Sequence, residues 1–378
     1  MDTALDLRYF ESLWETGQAP GIRGRSIVNN PLSEDLDHIL KHTEGLWEEL
    51  RGKRIFITGG TGFFGCWLLE SFAWANDKLD LNASALVLSR NPVAFEKKAP
   101  HLFHHPAIQF LTDDINDFIF PEGPFSHLIH SAVYQQPAGE KASNLAMVNE
   151  MLTGTKRVLD FCVQAKVKKM LLVSSGAVYG KAPAHLEKIP EDFSDAIDPT
   201  VTSSAYHHAK RMMESLSVLY AEENDFEAKI ARCFAFIGPY LQLDRSFAVS
   251  DFILNALSAR SITVKGDGKT VRSYLYMADL AIWLWMILFR GITCKPYNVG
   301  SELPVTIREL AEAIANESEP PQNVSILRNN IIGVAQDHYL PDTARARSEL
   351  GLLQNVPLPV VIRKTMQWYN GKNSWKEH

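Results

Sequence analysis

The chain has 378 residues, 46% of them hydrophobic, with 38 basic against 44 acidic side chains and a formal charge of −6. A chain of this length buries a sizeable core, as one large domain or two closely joined ones. The balance excludes a disordered or polybasic protein and gives no sign of nucleic-acid binding. Four cysteines, Cys66, Cys162, Cys233 and Cys294, stand far apart with no C-x-x-C. They read as small core residues in a reducing compartment, not as disulfides or metal ligands. The start, Met1-Asp-Thr-Ala-Leu-Asp, is acidic and lacks a signal-peptide pattern. The longest apolar run, residues 280–289, is too short to cross a bilayer and predicts a buried helix in which Trp283 and Trp285 pack. A cytoplasmic protein with no membrane partner is expected.

Residues 1–50 precede the first strand and predict a helical extension. Ser33 opens a helix with Leu36, Ile39 and Leu40, then Leu46, Trp47 and Leu50 on one side, broken near Gly45. Its expected role is packing. Next comes Ile55-Phe-Ile-Thr-Gly-Gly-Thr-Gly-Phe-Phe-Gly65, a strand running into Gly59-x-x-Gly62-x-x-Gly65 and a helix that begins with Phe63 and Phe64. That order suits a dinucleotide. Gly59 permits a tight turn, Gly62 lets the backbone approach a pyrophosphate, and Gly65 allows close helix–strand packing. The plainer alternative is an ordinary glycine-rich turn.

The second strand, 85–89, ends in Ser89-Arg90 with no carboxylate. An Asp or Glu there would accept the ribose hydroxyls of NAD, whereas Arg90 suits the 2′-phosphate of NADP, or stacks on adenine. A third strand, 108–111, leads into Asp113-Asp114-Ile115, where Asp114 is a candidate for the adenine amino group or a turn residue. His101, His104 and His105 have no acidic or Cys partner at ligand spacing and read as a loop with no metal. A fourth strand spans 127–132. The fifth, 169–174, ends in the hydroxyls of Ser174 and Ser175. Tyr206-His-His-Ala-Lys210 then opens a helix whose pitch puts Tyr206 and Lys210 on one face and turns His207 and His208 away. An ammonium beside a phenol lowers its pKa, so Tyr206 can take a hydroxyl proton as hydride leaves for a nicotinamide. Strands at 228–233 and near Tyr297-Asn-Val-Gly300 complete an α/β pattern of strands alternating with helices, expected to form a Rossmann-like, doubly wound parallel sheet.

Taken in order, these motifs resemble the extended short-chain dehydrogenases/reductases that act on nucleotide sugars, over residues 52–352. The resemblance rests on the glycine loop 58–65, His130-Ser-Ala-Val133, Ser174-Ser-Gly-Ala-Val-Tyr-Gly180, Tyr206 with Lys210 and Arg232-Cys-Phe-Ala-Phe-Ile-Gly-Pro239. It also includes Arg272-Ser-Tyr-Leu-Tyr-Met-Ala-Asp-Leu280 and Tyr339-Leu-Pro-Asp-Thr-Ala-Arg-Ala346. It implies that Ser175 positions the sugar oxygen, Tyr206 is the base, Lys210 contacts ribose, and Arg272 contacts the nucleotide diphosphate. It further implies cofactor contacts from Phe63, Phe64, Ile115, Ser131 and Ala132. Four departures matter. Gly176 and Ala177 stand where 4,6-dehydratases carry an acidic pair, and the Glu that decarboxylases use near there is absent. Ala235 and Met151 replace asparagines.

The expected protein is an NADP-dependent (alternatively NAD-dependent) nucleotide-sugar epimerase or oxidoreductase, acting at a ring hydroxyl, C4 first. Alternatives are an NADPH-dependent 4-keto-sugar reductase, a 4,6-dehydratase with atypical acids, and a non-catalytic dinucleotide sensor. Residues 51–232 with 280–300 are expected to bind the cofactor. Residues 233–279 with 301–378 should form a smaller C-terminal substrate lobe, in a homodimer.

Overall fold

The computed structural model describes residues 30–134, 143–183, 185–243, 247–327 and 338–373. The chain forms two compact units, Met1–Glu34 and Asp35–His378, and the sheet and cleft belong to the second. Residues 1–29 of the expected extension lie outside the described residues. The helix predicted from Ser33 runs Ser33–His42. Gly45, at φ +75°, separates it from a short helical turn, Trp47–Leu50.

Seven strands make the central sheet: β1 (Arg54–Thr58), β2 (Ser84–Ser89), β3 (Ile108–Thr112), β4 (His127–His130), β5 (Lys169–Ser175), β6 (Glu227–Cys233) and a last strand, Pro296–Val299. Their order is β3-β2-β1-β4-β5-β6-last, and every pairing is parallel. This is the Rossmann-like, doubly wound arrangement. Ile55, Phe56 and Ile57 are all fully buried, because helices cover both faces of a parallel sheet and its strands become continuous apolar runs. The helix Met277–Arg290 absorbs the long apolar run, with Trp283 and Trp285 buried in the core. The Trp285 indole donates to Ser71 Oγ at 2.8 Å, so its polar edge is satisfied without a ligand.

Strand order reverses between β1 and β4, which is where such sheets open a crevice. β4 stops at His130, two residues short of the expected end, and Ser131 makes the last ladder bond to β1. Its N–H and Oγ both donate to Thr58 O, at 3.2 and 2.7 Å. Beyond the sheet, Ile262–Val264 pairs with Val324–Ile326, and Val271–Arg272 pairs with Val305–Thr306.

Beneath β5 and β6 lies a buried polar network. Arg232 on β6 makes a two-pronged bond to the Glu214 carboxylate and also donates to Tyr179 Oη at 2.9 Å and Glu191 O at 3.0 Å. Glu214 accepts from Ser174 Oγ at 2.5 Å, and Tyr179 donates to Asn298 Oδ1 at 2.6 Å. Removing one partner of a buried ion pair strands the other charge. Arg232→Met should therefore destabilise the fold by about 3–5 kcal/mol, read from urea unfolding. Unchanged unfolding would contradict a cost for stranding the Glu214 charge.

Candidate active site

A cleft of about 630 Å³ opens over the reversal point and runs from Arg90 to Lys210. Its floor is backbone. Gly59 sits at φ +72°, and a Cβ there would fall 2.5 Å from the Ser131 carbonyl carbon and 2.6 Å from Ala132 N. Only glycine permits this turn and this approach. A Cβ on Gly65 would run into the Gly59 carbonyl oxygen, so Gly65 lies beneath the loop as the contact that seats the helix Phe63–Lys78. Gly62 caps that helix without any side-chain bond, which leaves its first N–H groups directed at the cleft. Phe63, Phe64, Ser131 and Ala132 line the same space. The tight backbone cradle and open helix terminus fit a dinucleotide pyrophosphate.

At the far end, Ser89, Arg90 and Ile115 line the cleft. Arg90 is half exposed, its Nη1 3.9 Å from Glu150 Oε1. Burial pushes the Glu150 carboxyl up, and Arg90 opposes that shift. Of the two readings of Asp114, adenine contact or turn residue, the local bonding is that of a turn residue. Its Oδ1 accepts from Asn116 N at 2.9 Å and Asn116 Nδ2 at 2.7 Å, while its neighbour Asp113 lines the cleft. Lys98, which the motifs did not single out, also lines the cleft and donates to Thr61 O at 3.1 Å.

At the near end, Ser175, Tyr206 and Lys210 come together. Ser175 is the last residue of β5 and accepts from Ala177 N at 3.1 Å. Tyr206 and Lys210 lie one turn apart on the helix Ala205–Glu223, with Lys210 Nζ 6.0 Å from the phenol ring centre. Lys210 is 1% exposed and donates to Val173 O at 3.2 Å. Burial lowers its pKa to about 8, against the opposing pull of Cys233 and Glu214. Tyr206 departs from the expectation that its pKa is lowered. Desolvation raises it, and the hydrogen bond with Ser175 offsets this only in part. His130, beneath the turn, is held neutral by burial with Lys210 nearby. It bonds Thr58 Oγ1 at 2.8 Å and Thr155 Oγ1 at 3.1 Å.

Arg272 is not among the cleft-lining residues. It donates to Val271 O at 2.8 Å and stands 5.8 Å from the Tyr339 ring. Tyr339 in turn packs at a tilt against Phe234, a cleft residue, with ring centres 4.6 Å apart. His101, His104 and His105 each pair with a different carboxylate, Glu70, Glu96 and Asp77, and Pro100–Phe103 is a helical turn where a loop was expected. Among the described residues no helix is long and apolar enough to cross a membrane.

The model of the NAD dependent epimerase/dehydratase family matches residues 55–300. The chain belongs to that family. It is an enzyme of the short-chain dehydrogenase/reductase type. A UDP-glucuronic acid decarboxylase 2 from Arabidopsis thaliana is 28% identical over 318 residues, covering 82% of this chain and 68% of that one. Two solved structures share the fold. One is a UDP-N-acetylglucosamine 4-epimerase from Methanobrevibacter ruminantium M1, with TM-score 0.72 and 20% identity over 85% of this chain and 99% of the other. The second is a UDP-glucose 4-epimerase from Thermotoga maritima, with TM-score 0.69 and 18% identity over 85% and 99%.

Lys210 carries a testable cost. Its pKa is about 8 when folded and near 10.5 when unfolded, so at pH 7 the folded state holds a charge that it would release more readily than the unfolded chain. Lys210→Met should lose turnover yet be at least as stable as wild type at pH 7. Between about pH 8 and 10.5 the unfolded wild type binds more protons, so this group's contribution makes wild type gain stability with pH and the mutant's advantage shrink. Urea unfolding across that range checks it. A mutant clearly less stable at pH 7 contradicts the cost.

Proposed function

We propose that this enzyme oxidises a ring hydroxyl of a nucleotide-activated sugar, C4 first, and returns the hydride to give an epimer. The observation that carries this reading is one cleft that has the glycine turn as its floor and Ser175, Tyr206 and Lys210 at its near end. The nicotinamide, when bound, supplies hydride acceptance and return. Ser175 hydrogen-bonds the reacting oxygen, Tyr206 removes its proton, and Lys210 holds the cofactor ribose while its charge favours the phenolate.

Gly176 speaks against elimination and decarboxylation by the routes that place an acid there. A Cβ on Gly176 would lie 2.5 Å from Tyr339 Oη and 2.8 Å from Phe234 Cζ, so the site is packed around the missing side chain. This separates the chain from what the decarboxylase names of its relatives would suggest. The substrate side is assigned to residues 233–279 and 301–378, with Arg272 as the diphosphate contact, and the cofactor side to 51–232 and 280–300. A second copy would cover Leu145 and Val163 on the helix Asn144–Gln164 together with Met212 and Leu219 on Ala205–Glu223, all exposed apolar residues.

One observation favours a second reading. The end of β2 bears Arg90 and no carboxylate, which suits NADP and a 4-keto-sugar reductase consuming NADPH. Denaturing the purified protein and identifying the released cofactor separates the two. Retained NAD⁺ or NADP⁺ supports internal redox, and an empty site that takes up NADPH supports the reductase. If Arg90 pairs with a 2′-phosphate, Arg90→Ala should weaken NADP(H) binding by roughly ten- to a hundredfold and barely alter NAD(H) binding. Equal losses would return the assignment to NAD.

Tyr206→Phe keeps the ring and removes the proton acceptor. Turnover of UDP-glucose or another UDP-sugar should fall by at least ~10²-fold with binding retained. Near-normal turnover would overturn the mechanism, and binding without turnover in wild type would favour a dinucleotide sensor.

A further inference from the structure

A second cation stands with Arg90 at the β2 end of the cleft. β1 and β2 end side by side, with Thr58 opposite Leu88, and a Cβ on Gly60 would fall 2.7 Å from a Val87 methyl. The glycine turn therefore rests against the strand that delivers Ser89 and Arg90. The helix Pro92–Lys98 follows, and its cap Asn91 lines the cleft together with Ala94, Phe95 and Lys98. Steps of three, four and seven residues from Asn91 mark one face of a helix, so that face turns inward and ends in an ammonium. Lys98 is half-buried and reaches the glycine turn, where it donates to Thr61 O at 3.1 Å. On its other side it lies 5.5 Å from the centre of the Tyr240 ring, just before the cleft residues Leu241 and Gln242. The ammonium is thus held between two walls of the cleft.

We propose that Lys98 is a cofactor-specificity residue, which binds the 2′-phosphate of NADP(H) together with Arg90. The inference rests on the NADP reading of Arg90 given above. A phosphomonoester carries a charge of about −1.5 to −2 near pH 7, and one guanidinium does not neutralise it. Arg90 is moreover offset by Glu150, 3.9 Å away. Lys98 has no carboxylate partner among the described residues, and the one hydrogen bond of its ammonium goes to a neutral carbonyl. A phosphate oxygen is the stronger acceptor, and the flexible lysine stem lets the ammonium exchange Thr61 O for it. Asp113 also lines this end, but its carboxylate already accepts from the N–H groups of Asp114 and Ile119. Position decides which phosphate Lys98 meets. The pyrophosphate lies at the helix opened by Gly62, whereas the adenosine ribose lies at the end of β2, from which the Lys98 helix departs.

Calorimetric titration of the purified enzyme with NADP⁺ and with NAD⁺ tests this. Lys98→Met keeps the bulk of the stem and removes the charge. It should weaken NADP⁺ binding about tenfold and leave NAD⁺ binding within about twofold of wild type. Retained NAD⁺ binding also shows that the site has folded. Lys98→Gln still has an N–H to offer Thr61 O, and it should show the same selective loss because the charge is gone. Equal losses for both cofactors would make Lys98 a pin between its helix and the glycine turn, and would overturn the proposal. Unchanged NADP⁺ binding in both variants would overturn it as well. Wild type tests the underlying reading separately. If it binds NAD⁺ as tightly as NADP⁺, the NADP reading fails and the Lys98 assignment with it. A preference for NADP⁺ that survives in both variants removes Lys98 alone and leaves Arg90 in place. No sugar enters the measurement, so its outcome is independent of which hydroxyl the enzyme oxidises.

Discussion

The ion pair between Arg232 and Glu214 is the interaction on which the rest of the site depends. Burying two charges is costly unless every donor and acceptor is used, and here Glu214 takes both Arg232 and Ser174, while Arg232 also reaches Tyr179 and the Glu191 carbonyl. The pairing fixes two things at once. β5 and β6 are in register with Ser174 opposite Arg232 and Ser175 opposite Cys233. Since neighbouring side chains on a strand point to opposite faces, tying Ser174 down to Glu214 turns Ser175 up to the cleft. Glu214 also lies one turn beyond Lys210 on the same helix, so the bond that holds Glu214 sets the helix rotation that delivers Lys210 and Tyr206.

With Glu214 already occupied, Lys210 is left as a buried cation whose only hydrogen-bond acceptor among the described residues is the Val173 carbonyl. A lysine serving stability would take a carboxylate partner. One held this way has its charge available to a ligand. The neighbouring His130 is kept neutral, down to about pKa 3, so it adds no second positive charge that would make Lys210 costlier still. The two threonines that bond the His130 ring use both nitrogens, which lets a neutral imidazole sit buried under the glycine turn.

Much of this was legible in the sequence where one local requirement decides the residue. Gly59 announces a left-handed turn, continuous apolar runs announce covered parallel strands, and a spacing of four puts Tyr206 with Lys210. What depended on competition among neighbours was not legible. Asp113 and Asp114 are adjacent carboxylates held by different local bonds, Asp113 by the N–H groups of Asp114 and Ile119 and Asp114 by Asn116, and only the folded turn puts Asp113 on the cleft. The pKa of Tyr206 follows from how much water the folded chain removes, and desolvation outweighed the hydrogen bond that opposes it. Tyr339 was visible only as part of a C-terminal resemblance, because nothing in its own surroundings says that it returns to the end of β5.

That return shows why the departure at position 176 is structural as well as chemical. The segment around Tyr339 is laid along the site by bridges from His338 to Val271 and from Pro341 to Ile189, and Asn298 holds the Asp342 carbonyl at 2.9 Å. It passes over two glycines. A Cβ on Gly176 would meet Tyr339 and Phe234, and one on Gly300 would meet Pro341 at 2.9 Å and Phe234 at 3.1 Å. Gly176, Gly300, Phe234 and Tyr339 thus form one packed unit, in which adding a side chain at either glycine displaces the ring pair. An acid at 176 would have to enter by moving the phenol that adjoins Ser175. The chemistry open to this cleft is therefore tied to how the C-terminal segment packs, and a single substitution at 176 cannot exchange one reaction for another without repacking both rings.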